Sequence, residues 1–470
     1  MTAKHHSTPG LAIPDSDDVV SRQAGIPISR RAVLRSGLSG AAGLLLAGKM
    51  SRPTLAAEPR AKAKAVIQIW MWGGPSQLDT FDPKPEAGDD FCGPLNRPIR
   101  TNVNGIMIGQ LLPELAKQAD KYSIIRSMTH VDHEDKGHET AAYLAQTGQQ
   151  PGTLDSIGYP CVGAVVSKFK GRDAGYQGLL PPYIVLTKPQ GRFSEAGFLG
   201  SRYKPFATGG NPANTPFNVR GFSDPSVLQR QRKRRELLNK LDKLTRTMQG
   251  DPRIAALQKC EDEAYERILG DGRKVFDLST EDAGLRDRYG RSKFGQSCLV
   301  ARRLVESGVP YVTINYSSKD WDWDTHKENF EVMQQRLPEM DKGMATLLED
   351  LSDRGLLDST IVWWGGEFGR SPRIAWEPEF SGGRHHHLPV FSAVVAGGGF
   401  KGGHVVGASD ARGENVKDRP VYPCDLIGTI YELLGIDADA TLQDPEGKTF
   451  RLLPSAADGV QSGGRLKEIV

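Results

Sequence analysis

The sequence predicts an α/β fold built on a mostly parallel sheet with helices on both faces. Three observations carry that reading. Short apolar runs recur along the chain and are near-continuous rather than alternating, as strands covered on both faces must be. Stripes of helical period lie between several of them, which is the alternation of an α/β sheet. The stretch 226–308 holds helical spacing throughout and reads as a mainly helical excursion packed beside that sheet.

Taken in order, the first 57 of 470 residues read as a leader rather than as part of the fold. Ser29-Arg30-Arg31-Ala32-Val33-Leu34-Arg35 fits a twin-arginine export signal. The weakly apolar Leu38–Gly48 that follows is too short to span a bilayer. Thr54-Leu55-Ala56-Ala57 supplies the small residues of a cleavage site. The expectation is a precursor handled by the twin-arginine export machinery. Its mature body, 58–470, would work in the periplasm or otherwise outside the cytoplasm.

The expected strands are Ala65–Trp72, Ile124–Met128, Tyr183–Leu186, Val309–Tyr316, Thr360–Trp364 and Val390–Ala396, all read as parallel. Leu337, Met340, Met344, Leu347, Leu348 and Leu351 form one helical stripe ahead of Gly355. Cys298, Leu299, Arg302, Leu304 and Val305 form another, stopped at Gly308-Val309-Pro310. In the excursion, Asp224-Pro225-Ser226 opens a helix whose apolar positions run from Leu228 to Met248. The basic run Arg230–Arg235 falls on the wet face of that helix, so no nucleic-acid partner is expected.

Composition is that of an ordinary globular enzyme: formal charge +3, 38% hydrophobic and 25% charged residues. No apolar run in the mature chain is long enough to cross a membrane. The five cysteines are widely spaced with no Cys-x-x-Cys pair, which argues against a zinc-thiolate site and a disulfide scaffold. A phosphate-binding Gly-x-x-x-x-Gly-Lys-Ser/Thr loop, a dinucleotide fingerprint after the first strand and a Gly-x-Ser-x-Gly elbow are all absent from the sequence.

Ligands in such sheets sit beyond the carboxyl ends of the strands, and that rule selects the polar residues. After the first strand come Gly73-Gly74-Pro75-Ser76-Gln77-Leu78-Asp79. After the second come His130, His133 and His138 among Asp132, Glu134 and Asp135. Asp320, Asp322, Asp324 and His326 follow the fourth, and Glu367 and Arg370 the fifth. Arg384-His385-His386-His387 precede the last. Outside the leader only His404 of the histidines lies elsewhere. Imidazole with carboxylate suits Zn, Mn or Fe better than Mg or Ca, so a divalent metal is the expected cofactor.

The mature chain resembles a poorly characterised family of twin-arginine-exported bacterial proteins, a domain of unknown function of the alkaline phosphatase and sulfatase superfamily. The motifs that carry this are Gly73–Asp79 with Phe81-Asp82-Pro83-Lys84-Pro85, Ile125–Met128, and His138 ahead of Gln146-Thr147-Gly148. Further motifs are Tyr289-Gly290, Ala301–Glu306, Trp323-Asp324-Thr325-His326, Glu367-Phe368-Gly369-Arg370, Arg384–His387 and Gly397-Gly398-Gly399. The resemblance implies an alkaline phosphatase-like sheet and hydrolysis of phosphate or sulfate esters with one or two metals. A sulfatase carries its nucleophile where this chain has His138, with Thr140 the nearby hydroxyl. The superfamily's Asp after the first strand is replaced by Gly73 or Gly74, and its later Asp-His pair by Glu367-Phe368.

The expectation is therefore a metal-dependent hydrolase of a small or polymeric anionic ester, working through water. Asp324, His326 and His386 would hold the metal, with Glu367 or His138 as fourth ligand or general base. Arg370 would neutralise the anion by a bidentate contact. Asp79 would orient a ligand histidine, and Asp322 and His385 are alternative ligands. The competing expectation is a non-catalytic descendant that binds surface polysaccharide.

Overall fold

The computed structural model describes residues 61–130, 137–150, 158–190, 195–219, 271–316, 322–444, 446–455 and 458–470. The leader, the basic run Arg230–Arg235, His133 and Asp320 lie outside them. The strands that matter here are β1 (Ala65–Trp70), β2 (Tyr122–Met128), β3 (Tyr183–Leu186), β4 (Phe206–Ala207), β5 (Tyr311–Asn315) and β6 (Thr360–Gly365). They continue with β7 (Gly369–Arg370), β8 (His386–His387), β9 (Phe391–Ala396) and β10 (His404–Val406). Eight of these form one sheet in the order β10-β2-β9-β6-β1-β5-β3-β4, while β7 and β8 pair with each other.

The sheet is mostly parallel. β1 lies between β5 and β6, with Val66 opposite Tyr311 and Ala65 opposite Thr360. β3 pairs parallel with β4 and β5, and β10 with β2. The exception is β9, which runs antiparallel to both β2 and β6. That corrects the expectation of a parallel strand at Val390–Ala396. The reason lies in the connection: residues 366–390 contain the β7–β8 hairpin but no helix. A parallel return needs a crossover that carries the chain back along the sheet, usually a helix.

The central strands β1, β6 and β9 are mostly apolar on both sides because helices cover both faces. Successive side chains of β1 alternate between two cores. Ile67 and Ile69 pack with Leu299 and Leu304 of α3 (Lys293–Glu306) and with Leu337, Leu347 and Leu348 of α4 (Asn329–Asp353). Val66 packs into the opposite core with Val162 and Val165 of α2 (Val162–Lys170) and Leu426 and Ile430 of α5 (Pro423–Leu433). Each such fully buried aliphatic contributes about 1.5–3 kcal/mol relative to exposure. The one polar residue within β1, Gln68, is satisfied: its amide donates to Gln146 and its oxygen accepts from Thr313. Gln146 belongs to α1 (His138–Thr147), which Gly148 ends in the left-handed conformation.

Four described cysteines, Cys92, Cys161, Cys298 and Cys424, are free and buried. No helix among the described residues is long and apolar enough to cross a membrane.

Candidate functional site

The carboxyl ends of β1, β2, β5 and β6 point the same way, and the segments that leave them meet. β1 ends at Trp70 and the chain turns at Gly73 and Gly74, both at positive φ. A Cβ on Gly73 would stand 2.2 Å from the Asp324 nitrogen, and one on Gly74 2.4 Å from the Phe368 carbonyl oxygen. Only glycine lets the post-β1 turn lie this close to the post-β5 and post-β6 segments. The Trp323 N–H donates to the Trp72 carbonyl at 2.9 Å and fixes that contact. Because β9 is antiparallel, its beginning lies at this same edge, which delivers Arg384–His387. Register completes the placement: His386 stands opposite Arg370 in the β7–β8 pair.

His138, Asp324 and His386 converge at the centre, with one donor atom from each lying within 4.8 Å of the others. His138 Nε2 lies 3.1 Å from one Asp324 oxygen and His386 Nε2 3.2 Å from the other. His326 Nε2 is 3.0 Å from that second oxygen, and Arg370 Nη1 is 2.6 Å from it. Burial alone would raise the Asp324 pKa. The hydrogen bonds to His138, His326 and His386, with the Arg370 charge, outweigh it and hold this carboxyl far below the usual range.

Behind His138 stands Glu367, fully buried. Its Oε1 accepts the Gly73 N–H at 2.8 Å and pairs with His138 Nδ1 at 2.7 Å. Its Oε2 has no hydrogen-bond partner among the described residues. An ionised carboxylate only accepts, so His138 Nδ1 carries the hydrogen and Nε2 keeps its lone pair toward Asp324. Two lone pairs at 3.1 Å need a cation between them, a proton or a metal ion. Desolvation disfavours a charged His138, but the bonds to Asp324 and Glu367 prevail and its pKa is raised. On the other side, His386 Nε2 faces the second Asp324 oxygen at 3.2 Å. The donor set therefore fits a divalent metal held by His138, Asp324 and His386.

The remaining expected site residues have other placements. Arg370 is fully buried, and its guanidinium donates to the Gly73 and Gly74 carbonyls as well as facing Asp324. It braces Asp324 instead of reaching out to an anion. Burial lowers its pKa, with Asp324 opposing that shift. Asp79 does not touch a ligand histidine. Both its oxygens accept from Arg384, at 3.0 and 3.3 Å, and one also accepts from Asn329 at 2.9 Å. Asp322 pairs with Arg336 of α4 at 3.1 Å. His385 Nδ1 lies 2.9 Å from His326 Nδ1, and His387 Nε2 lies 2.8 Å from the Glu414 carbonyl oxygen. Burial, then the neighbouring His326 and Arg370, lowers the His385 pKa. Thr140, two residues beyond His138, is turned about 200° around the axis of α1 from it.

Three supporting residues were not assigned a role from the sequence. Arg384, fully buried, donates to Asp79 and to the carbonyls of Ser371, Pro372 and Phe91. Gln77 bonds both the N–H and the carbonyl of Arg370, at 3.0 Å each, as a strand partner would. His130 Nε2 holds the Glu367 carbonyl at 2.6 Å. Gln77 and Arg384 lie within motifs read from the sequence and His130 shortly after a strand, positions that do not distinguish a brace from a ligand.

A family model described as "Protein of unknown function (DUF1501)" matches residues 63–462. The chain belongs to the DUF1501 family. No curated protein matches it. Among solved structures, this DUF1501 chain is similar to a lipoteichoic acid synthase from Listeria monocytogenes at 11% identity and TM-score 0.35, covering 84% of this chain and 78% of that one. It is also similar to a protein of the alkaline phosphatase superfamily from Vibrio parahaemolyticus at 12% identity and TM-score 0.36, over 83% and 72% of the two chains. A phosphonate monoester hydrolase from Silicibacter pomeroyi shares 13% identity at TM-score 0.32, over 80% and 73%.

Proposed function

We propose that this chain is an exported hydrolase that cleaves an anionic ester, phosphate or sulfate, with a divalent metal. The observation that carries the reading is the convergence of His138, Asp324 and His386. Two imidazoles and a carboxylate suit Zn, Mn or Fe. Export is supported by the Ser29–Arg35 pattern of the sequence.

Charge also supports an anionic substrate. Asp324 and Glu367, counted as ionised, stand against Arg370, leaving one net negative charge. A divalent cation would turn that into one net positive charge facing the opening, where His326 is 39% exposed. The metal would supply Lewis acidity toward the ester oxygen and lower the pKa of a water. The protein's part is orientation: Glu367 fixes the His138 tautomer, and Arg370 and the Gly73-Gly74 turn fix Asp324. The turn of Thr140 away from His138 favours water over a side-chain nucleophile.

The test is elemental analysis of folded, metal-replete protein beside His386→Ala and His138→Ala, followed by a screen of phosphate and sulfate esters. About one equivalent of metal per chain, lost in both variants, with ester cleavage, is expected. Metal without turnover would leave the binding-only reading. A wild-type chain free of metal would overturn the proposal.

A further inference from the structure

Trp376 breaks the rule that the other described tryptophans follow. Trp70, Trp72, Trp323, Trp363 and Trp364 are at most 7% exposed, whereas Trp376 is 53% exposed. It is nevertheless held firmly. One face stacks on Phe330 at 5.9 Å and 22°, and Phe330 in turn lies under the buried Arg384 guanidinium at 5.5 Å. Its edge packs on Gly382, where an added Cβ would stand 2.9 Å from the indole. The ring is therefore held on Phe330 and Gly382 while about half of the residue remains exposed.

Its location ties it to the candidate metal centre. Trp376 lies in the connection between β7 and β8, the strands that carry Arg370 and His386. A Cβ on Gly383 would sit 1.8 Å from the His326 carbonyl oxygen. Contact from Trp376 to Gly382, one peptide step, and contact from Gly383 to His326 place the indole within about 12 Å of that carbonyl. Arg373, Glu377 and Glu379, all exposed, flank the ring in sequence. An anchor for a protein partner belongs in a contiguous apolar patch. A lone indole among hydrogen-bonding side chains instead suits a ring that is apolar on its face and hydroxylated at its edge.

We infer that Trp376 is a stacking platform for a saccharide ring, so that the ester cleaved nearby is carried on a sugar. The second half of that inference rests on the hydrolase reading; the platform itself does not. The rigid ring gives up little entropy on stacking, and its loss should weaken sugar binding by about five- to tenfold.

The test is calorimetric binding of cellotriose, glucose 6-sulfate and inorganic sulfate to metal-replete wild type, Trp376→Ala and Trp376→Phe. Cellotriose reports the platform without the metal centre, and inorganic sulfate the metal centre without the platform. The expected result is weak cellotriose binding lost in Trp376→Ala and largely kept in Trp376→Phe, with inorganic sulfate unaffected. Glucose 6-sulfate should bind more tightly than sulfate, with the difference gone in Trp376→Ala. The inference is overturned if cellotriose does not bind wild type, or binds Trp376→Ala equally well. It is also overturned if Trp376→Ala converts an oligomer to a monomer in sedimentation, which would make the indole a protein contact. Sulfate binding without cellotriose binding would sink the platform alone, and the reverse would sink the hydrolase reading alone.

Discussion

Gly73→Ala is the substitution that interrogates the candidate site most directly. Gly73 sits at φ +102° and its three nearest foreign atoms are backbone atoms of Trp323 and Asp324, the nearest 2.2 Å from a notional Cβ. Its N–H is bonded to Glu367 and its carbonyl to Arg370, so the turn has no free direction of retreat. The positive φ costs an alanine on the order of 1–3 kcal/mol. The overlap adds about another 1–3 kcal/mol, because backbone cannot rotate away as a side chain would.

Gly88→Ala separates the two contributions. Gly88 has φ +90° and nothing within 4 Å of its notional Cβ, so alanine there meets the backbone cost alone. Thermal unfolding of the two variants should differ by roughly 1 °C per kcal/mol for a chain of this size. Gly73→Ala is expected about 1–3 °C below Gly88→Ala. It should also displace Asp324 and weaken Zn binding, measured by calorimetry, by about 10- to 100-fold, while Gly88→Ala leaves it unchanged. Equal stability and equal metal affinity in the two variants would refute the claim that the glycine turn sets the position of Asp324.

Other consequences can be checked alongside. Asp79→Ala leaves the buried Arg384 without its carboxylate and should cost about 3–5 kcal/mol in denaturant unfolding; a loss below ~1 kcal/mol would mean that the three carbonyls suffice. Thr140→Val should keep both metal binding and any ester cleavage; loss of turnover alone would reinstate a hydroxyl nucleophile. Asp341, buried in α4, accepts the N–H groups of Leu115 and Glu114, yet burial dominates and lifts its carboxyl from 3.8 to about 6. The folded chain holds that proton more tightly than the unfolded one. Its contribution is therefore complete below pH 4 and is lost as pH rises through 6, by roughly 3 kcal/mol. Asp341→Asn should accordingly gain on wild type between pH 4 and pH 7, and a flat difference across that range would contradict it.

The sheet was readable because burial on both faces leaves an apolar run in the sequence. β1, β2, β3, β5 and β6 fall within two residues of their expected ends. The edge strands β4 and β10, of two and three residues, leave no such run. Strand direction is set by the connection rather than by strand composition, which is why β9 was misread. The segments of the site were readable from the rule that ligands gather beyond strand ends. The roles within it were less so. Arg370 and Asp79 have the residue types of an anion clamp and an outer ligand, but Arg370 holds the Gly73 and Gly74 carbonyls and Asp79 holds the Arg384 guanidinium. A sequence shows that a charge is present, while its burial and the carbonyls around it decide what it does.

The three consecutive histidines show how that decision is made. Arg384–His387 precede a strand, so in an all-parallel sheet they would lie at the amino edge, away from the residues that leave β1, β5 and β6. Reversal of β9 moves them to the carboxyl edge. Pairing of His386 with Arg370 then selects one ring, because neighbouring side chains on a strand project to opposite faces. His386 accordingly faces Asp324, His387 goes to the Glu414 carbonyl, and His385 pairs with His326 beside the centre. A slip of one residue in that pairing would exchange their places. The contacts of Arg384 with Asp79, Ser371, Pro372 and Phe91 oppose such a slip by fixing the residue immediately before the three rings. Strand direction thus brings the histidines to the site, register chooses among them, and a buried arginine that touches none of the metal donors holds the choice.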